Sequence, residues 1–343
     1  MIRLVIHQID FFSFRDGRPF LAGESHVASS LFPPTPLTFQ GAVRSILWAE
    51  GEDVGDGEHF GSLRMMGPFI WKNGKEFFPL PLDVGVDEEG RKIEYAIPSQ
   101  LDGVFFNPLY LGEEVKEVFL PLRKKGKTGT KKYVSRDVLG DILLSREFSP
   151  EEIKEEGEFI EREVRTGIAR EKTKTAKEGY LYHIEVIRLK EGTAFSLYVD
   201  ETTGSKLKDK GFMMIGGEKR GAGYIKDGEW RDIEHTEEIK RRVKETGKFK
   251  LVLLMPTFLD KIPEIEGAKC CGVVTGKYLS LGGWDLKKNK MKPMKKAVPP
   301  GSVFFYSDFK DDVEELFQRY HWDSLMDGEE RKIGMGLCAV GTW

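Results

Sequence analysis

The chain is poor in the residues that most often build metal and catalytic centres. Its three cysteines, Cys270, Cys271 and Cys338, fit no zinc spacing, because an adjacent pair leaves nothing between the ligands to turn the chain. They make no disulfide framework either, which points to a reducing, cytoplasmic compartment. The six histidines, at 7, 26, 59, 183, 235 and 321, show neither H-x-x-x-H nor H-E-x-x-H spacing. No metal and no cofactor are expected. Long apolar runs are missing as well: Phe249 to Leu259 is interrupted by Lys250, Pro256 and Thr257 and is too short to span a bilayer. His7, Gln8 and Asp10 stand where a signal peptide would be apolar. A soluble, intracellular protein without a membrane partner is expected. Amides are also scarce, with three Asn and four Gln beside 32% charged residues. That bias resembles a thermophile's ion-pair-rich composition and bears on stability alone.

The net charge is −3, so the chain is not coated in positive charge. Its cations are nevertheless segregated. Blocks lie at Arg123 to Arg136, Arg162 to Lys177, Lys240 to Lys250 and Lys287 to Lys296, with acidic stretches at Glu50 to Glu58, Glu147 to Glu163 and Asp311 to Glu315. Such segregation suits either a basic face for a polyanion or solvated helix faces.

One ten-position pattern, G-x-G-x-x-x-x-G-x-W, is written twice. It runs from Gly221 and Gly223 through Gly228 to Trp230, and again from Gly334 and Gly336 through Gly341 to Trp343. With 38 Gly and 6 Trp in 343 residues, chance predicts far fewer than one copy. Repetition at this distance marks duplicated units. Lys219-Arg220 and Arg331-Lys332 precede the two copies, so backbone N–H groups and cations are offered together, as phosphate oxygens require. Strand-flanking turns needing positive φ would produce the same glycines. Gly216 to Gly221 lacks a following G-K-[ST], which excludes the nucleotide-hydrolase loop. A strand rather than a helix follows, which argues against a dinucleotide fold.

The periodicities predict strand Ile2 to Asp10, then helix Leu37 to Glu50 with Phe39, Val43, Ile46 and Leu47 on one stripe. Residues 51–178 read as a long irregular insertion. A hairpin is expected over Tyr180 to Val199, turning at Lys190 to Gly192, followed by a short helix at Ser205 to Lys210 and a strand at Phe212 to Ile215. After the polar segment Glu237 to Gly247, strands are expected at Phe249 to Met255, Gly272 to Leu281 and Ser302 to Tyr306, with a helix at Asp311 to His321. The first helix of this second unit, within Phe258 to Lys269, is its weak element. Strand, helix, hairpin, helix, strand is the order of a ferredoxin-like βαββαβ unit. The expected class is therefore α+β: two tandem ferredoxin-like (RRM-like) domains, 1–236 with the insertion about 51–178, and 248–343.

No catalytic set assembles. His26, between Arg18 and the proline-rich start of the first helix, is the one nuclease candidate, an imidazole able to deprotonate a ribose 2′-OH. A solvated loop histidine fits it better. Aromatics beside cations suit single-stranded RNA: Phe11 to Phe20 is one case and Lys219 to Tyr224 another. Many of these rings belong to the core, Phe11 and Phe12 above all. The segment Trp284 to Pro300 reads as a lysine arm along a strand or as a loop tip.

Six stretches together resemble one family: RDGRPF (Arg15 to Phe20), FPPTPLTFQGAVRSIL (Phe32 to Leu47), RTGIAR…EGYLY (Arg165 to Tyr182), IGGEKRGAGY (Ile215 to Tyr224), KPMKKAVPPGSVFFY (Lys292 to Tyr306) and GMGLCAVGTW. This is the third subunit of the type III-B CRISPR effector, the Cmr complex, within the RAMP superfamily. The resemblance implies a non-catalytic RNA-binding subunit in antiviral defence. It would hold the 5′ handle of the crRNA, dock the large polymerase/cyclase-like subunit and adjoin a neighbouring backbone subunit. By motif position it implies RNA contact at Arg15, Arg18, Arg44, Arg165, Arg170, Gly216, Gly217, Lys219 and Arg220, with Gly221 and Gly223 in the glycine loop. Contact is expected mainly at the first signature and packing at the second. Two other functions stay open on the residues: a metal-independent endoribonuclease using His26, and a purely protein-binding adaptor.

Overall fold

The computed structural model describes residues 1–15, 27–56, 59–87, 89–99, 118–119, 131–171, 173, 175–217, 220–285 and 290–343. Along the chain run β1 (Ile2–Gln8), β2 (Val27–Ala28), α1 (Pro36–Ala49), β3 (Met65–Lys72), β4 (Lys75–Pro79), β5 (Lys132–Ser135), α2 (Arg136–Leu143), β6 (Lys154–Glu155), β7 (Ile160–Arg170) and β8 (Ala176–Leu189). There follow β9 (Thr193–Val199), α3 (Glu201–Lys206), β10 (Lys210–Ile215), β11 (Arg220–Glu229), α4 (Thr236–Thr246), β12 (Phe249–Leu253), β13 (Lys269–Val274), β14 (Val303–Ser307), α5 (Val313–Tyr320), β15 (Asp323–Ser324) and β16 (Leu337–Gly341). The chain is α+β, and its sheets are predominantly antiparallel. No helix among the described residues is long and apolar enough to cross a membrane.

Two compact units divide the chain. The first comprises Met1–Gly74, Gly157–Trp230 and Ser280–Lys296; the second comprises Lys75–Glu156, Arg231–Leu279 and Ala297–Trp343. Residues 75–156, read from sequence as part of an insertion in the first domain, thus group with the C-terminal strands.

In the first unit the strands lie in the order β3–β9–β1–β11–β10. β1 is central, and Leu4, Val5 and Ile6 are all buried, so both of its faces are covered. α1 starts with Pro at the first turn after Thr35, where a missing N–H costs nothing. It buries Phe39, Val43 and Leu47 as one stripe. Phe39 meets Phe195 edge-on at 5.4 Å, and Phe12, Phe14 and Phe32 lie within 6.1 Å of the same ring. Phe11, Phe12 and Phe14, beside the early cations, are therefore core, while Phe20 lies outside the described residues. Asp200 caps α3 by accepting from the Thr203 N–H, so this helix begins earlier than the Ser205 expected.

Two sequence expectations change here. Besides β1, β9 pairs with β3, from inside the supposedly irregular 51–178 stretch. Its sequence, MMGPFIWK, is buried along most of its length and interrupted by Gly67-Pro68, so no alternation betrays it. The expected hairpin also splits. Tyr182 to Val186 lies in β8, which pairs with β7 antiparallel and β2 parallel, whereas β9 joins the other sheet. The Lys190 to Gly192 turn is present, but the strands it links enter different sheets.

In the second unit the main sheet has the order β13–β14–β12–β16–β15, and β4, β5 and β6 lie side by side in that order. No helix occurs within Phe258 to Lys269, where a weak one was expected; Pro263 and Gly267 break it up. The polar segment at 237–247 is instead the helix α4, which buries only Ile239 and Val243 and ends at Gly247 with φ 64°. Lys250, fully buried in the central strand β12, pairs with buried Asp83 at 2.7 Å.

Candidate nucleic-acid interface

The predicted site residues that the structure brings together surround Phe11. Residues Asp10 to Arg15, the β7–β8 ribbon and the start of β11 meet there, all within the first unit. Phe11 is 2% exposed and packs on Ile184 and Val186 of β8. The guanidinium carbons of Arg165 and Arg220 lie 4.0 and 3.9 Å from its ring centroid. Each such contact is worth about 1–2 kcal/mol when partly desolvated. Two cations over one ring would repel, and carboxylates offset this. Asp10 sits 3.1 Å from Arg220 and also accepts the Phe11 N–H at 2.8 Å, which fixes it in place. Glu163 accepts from Arg188 at 2.9 Å and Arg165 at 3.0 Å. Those two hydrogen bonds, Arg188 first, hold the Glu163 carboxyl below its usual range.

Backbone stapling builds the rest of this corner. Phe12 and Ile187 exchange two N–H···O bonds of 2.8 Å. Arg162 pairs with Glu185 and donates to the Ser30 carbonyl at 2.8 Å, while Glu185 accepts the Ser30 N–H at 3.0 Å. Gly216 has φ 74°, and a Cβ there would lie 2.6 Å from the Ser13 carbonyl oxygen. Gly217 donates its N–H to that same oxygen at 2.7 Å. The turn is thus docked on the strand-like segment whose next residue but one is Arg15, an exposed cation whose Nε passes 3.7 Å from the place a Gly217 Cβ would take. Arg165 and Arg220 are each about one-third exposed. Arg220 Nε is buried with no hydrogen-bond partner among the described residues. Planar guanidiniums held this way can exchange a carboxylate for a phosphate in bidentate geometry.

The other predicted residues fall elsewhere. Arg44 of α1 donates to Val54 O at 2.8 Å, Asp56 O at 2.5 Å and Gln40 Oε1 at 3.2 Å, and lies over Phe60. Burial pushes its guanidinium down, with Asp56 opposing. Its donors are spent on the loop after α1. Gly221 and Gly223 are strand residues of β11, paired with Met214 and with His7 and Phe212, and form no loop. The turn that carries positive φ lies upstream at Gly216. Arg170 ends β7, opposite Ala176. Arg18, His26 and Lys219 lie outside the described residues, as does most of the first cation block. Trp284 and Met291 pair across the lysine arm. Sequence reasoning missed Asp10 and Glu163, although Glu163 and Arg165, two apart on a strand, had to share a face.

Comparison with known proteins follows the same lines. A chain in the type III-B Cmr-beta complex bound to cognate target RNA has the same fold. It is 21% identical, with 97% of this chain and 95% of that chain covered and a TM-score of 0.57. A second, from Cmr-beta bound to cognate target RNA and AMPPnP, is 20% identical over 88% of this chain and 86% of that one, with a TM-score of 0.55. No curated protein matches the chain. Residues 4–343 match the family model of the CRISPR-associated protein Cas_Cmr3. With the match spanning both signatures and the Phe11 corner, the chain belongs to the Cmr3 family, a subunit family of the type III-B Cmr complex.

Proposed function

We propose that the chain is a non-catalytic RNA-binding subunit that holds the 5′ handle of a crRNA and docks the large subunit and a backbone subunit of its complex. The observation that carries this reading is the Phe11 corner: Arg165 and Arg220, each about one-third exposed, lie over the Phe11 ring and are oriented by Glu163 and Asp10, with the exposed Arg15 beside the Gly216-Gly217 turn. A backbone turn beside oriented guanidiniums suits the sugar-phosphate chain of single-stranded RNA. The solved relatives were captured with target RNA in Cmr assemblies, which supports the same partner class.

The two strand orders are read as tandem ferredoxin-like sheets. β3–β9–β1–β11 and β13–β14–β12–β16 each put the first strand between the third and the fourth, and each adds one further strand beyond the fourth. The RNA-binding corner belongs to the first.

Handle RNA affinity should fall about 10³-fold or more between about 50 and 200 mM salt if six or so phosphates are engaged. Arg165→Ala with Arg220→Ala should weaken it further and reduce the slope. A flat salt response sinks the proposal. Incubation with repeat RNA in EDTA tests the non-catalytic assignment: cleavage abolished by His26→Ala would make the chain an endoribonuclease.

A further inference from the structure

An aromatic ring beside cations is the usual platform on which a protein stacks the bases of a single strand. Phe11 is not available for that. It is 2% exposed, packed on Ile184 and Val186, and the guanidinium carbons of Arg165 and Arg220 lie 4.0 and 3.9 Å from its centroid. Stacking needs an open aromatic face, and this ring has none to give. Tyr182, the other aromatic packed on this cluster, lies against Gly167 of β7, where a Cβ would collide with it, so the glycine makes way for the ring.

What the corner does present is a set of unspent donors. A guanidinium carries five N–H groups in one planar fork. Among the described residues Arg165 spends only its Nε, on Glu163 at 3.0 Å, and Arg220 only its Nη1, on Asp10 at 3.1 Å. Nε of Arg220 is out of water as well, and a buried donor without an acceptor costs stability. The carboxylates are themselves committed elsewhere. Asp10 accepts the Phe11 N–H at 2.8 Å, and Glu163 accepts from Arg188 at 2.9 Å. They therefore aim the two guanidiniums without saturating either. Within this hydrogen-bonded set the guanidiniums of Arg165, Arg188 and Arg220 face the carboxylates of Asp10 and Glu163, which leaves one positive charge over. A single phosphodiester neutralises that charge and accepts a fork with two oxygens at once. A guanine edge also accepts a fork, but it is uncharged and leaves the excess in place.

We propose that the Phe11 corner grips one phosphodiester of the RNA strand and no base, with the unspent N–H groups of Arg165 and Arg220 turned on the same phosphate. The proposal rests on the RNA-binding reading above and narrows it: this corner contributes affinity without sequence preference. The test uses the full chain and two sets of handle RNA. In one set a single phosphate at a time is replaced by a neutral methylphosphonate; in the other a single base at a time is removed. On wild-type protein one methylphosphonate position should weaken binding by about tenfold, as loss of a charge-assisted hydrogen bond does. In Arg165→Ala and in Arg220→Ala the penalty at that same position should shrink to about threefold or less, because groups that share a contact are not additive. Penalties for base removal should be the same in wild type and in both variants. If no methylphosphonate position is coupled to both arginines, the proposal is overturned. A base-removal penalty that disappears with either arginine overturns it too, since the corner would then read a base. Should one variant fail to fold, the other, on a different strand, decides alone. Wild-type protein that does not bind unmodified handle RNA removes the RNA-binding reading and this site with it; binding with a methylphosphonate profile that neither variant changes removes the phosphate site alone.

Discussion

The two copies of G-x-G-x-x-x-x-G-x-W share a spacing but use their glycines differently. In the first copy Gly221 and Gly223 are extended strand residues with room for a side chain. In the second copy Gly334 and Gly336 turn with φ of 81° and 71° before β16. Gly336 is also crowded: a Cβ would lie 2.9 Å from Thr257 Oγ1 and 3.0 Å from both Met326 Cγ and Ser324 Oγ. Its N–H donates to Pro256 O at 2.8 Å. Third glycines are needed in both copies, Gly228 for its φ of 86° and Gly341 because Leu143 O would sit 2.7 Å from a Cβ. The closing tryptophans behave alike. Trp230 meets Tyr198 of β9 at 90° and Trp343 meets Phe305 of β14 at 84°, both edge-on. Both copies keep a strand and its aromatic stop, while the opening glycines form a turn in one copy and lie within a strand in the other.

The largest expected effect breaks this comparison in stability. Gly336→Val must force a β-branched residue to positive φ against three neighbours and should cost about 3 kcal/mol or more. Gly223→Val, into open space, should change stability by less than about 0.5 kcal/mol. Urea denaturation of the two variants measures both. Equal losses would mean that the first copy's glycines serve the fold after all.

A smaller effect concerns the tryptophans. Trp343 donates its indole N–H to Phe249 O at 3.0 Å and Tyr306 O at 3.1 Å. Trp343→Phe keeps the ring and removes that donor, which should cost about 1 kcal/mol, since buried carbonyls lose a partner. Chemical denaturation that finds no loss would show that water replaces the indole.

The smallest effect is a pH dependence tied to the second copy. His321 Nδ1 accepts the Val340 N–H at 3.1 Å, and its Nε2 lies 3.2 Å from Asp232. Burial pushes the Asp232 carboxyl up, but hydrogen bonds from His321, the Ile233 N–H and Thr236 outweigh it and bring it down to about 2. A carboxyl depressed on folding contributes stability that is present above its unfolded value and lost as pH falls through about 2. Asp232→Asn should therefore flatten the stability profile between roughly pH 4 and pH 2. An unchanged acid limb in thermal melts at stepped pH would assign that loss to other carboxylates.

Legibility followed local pattern. α1 is readable from Phe39, Val43 and Leu47 because one face meets the core and the other meets water. β1, β10 and β12 are readable as short apolar runs. β3 is not, because a strand covered on both faces has no alternation and Gly67-Pro68 mimics a turn. α4 is not, because two buried residues, Ile239 and Val243, suffice to anchor it among charges. At the candidate site, Arg15, Arg165 and Arg220 could be named from motif position. Their assembly around Phe11 could not, since it depends on contacts between residues far apart in the chain; nor could the hydrogen bonds of Arg44 to the Val54, Asp56 and His59 carbonyls, which depend on how the chain turns back after α1.

By itself the sequence determined that the chain holds a duplicated signature, that cysteine and histidine offer no metal spacing, and that its motifs belong to one family. These are properties of residue identity and spacing, which survive without coordinates. Tertiary structure decided which sheet each strand joined, because backbone hydrogen bonds go to whichever edge is adjacent and a linear pattern carries no record of that. It also decided what each glycine is for. A glycine looks the same in sequence whether it supplies a positive φ, makes way for a tyrosine ring, or stands in open space, and only the neighbours around the missing Cβ tell these apart.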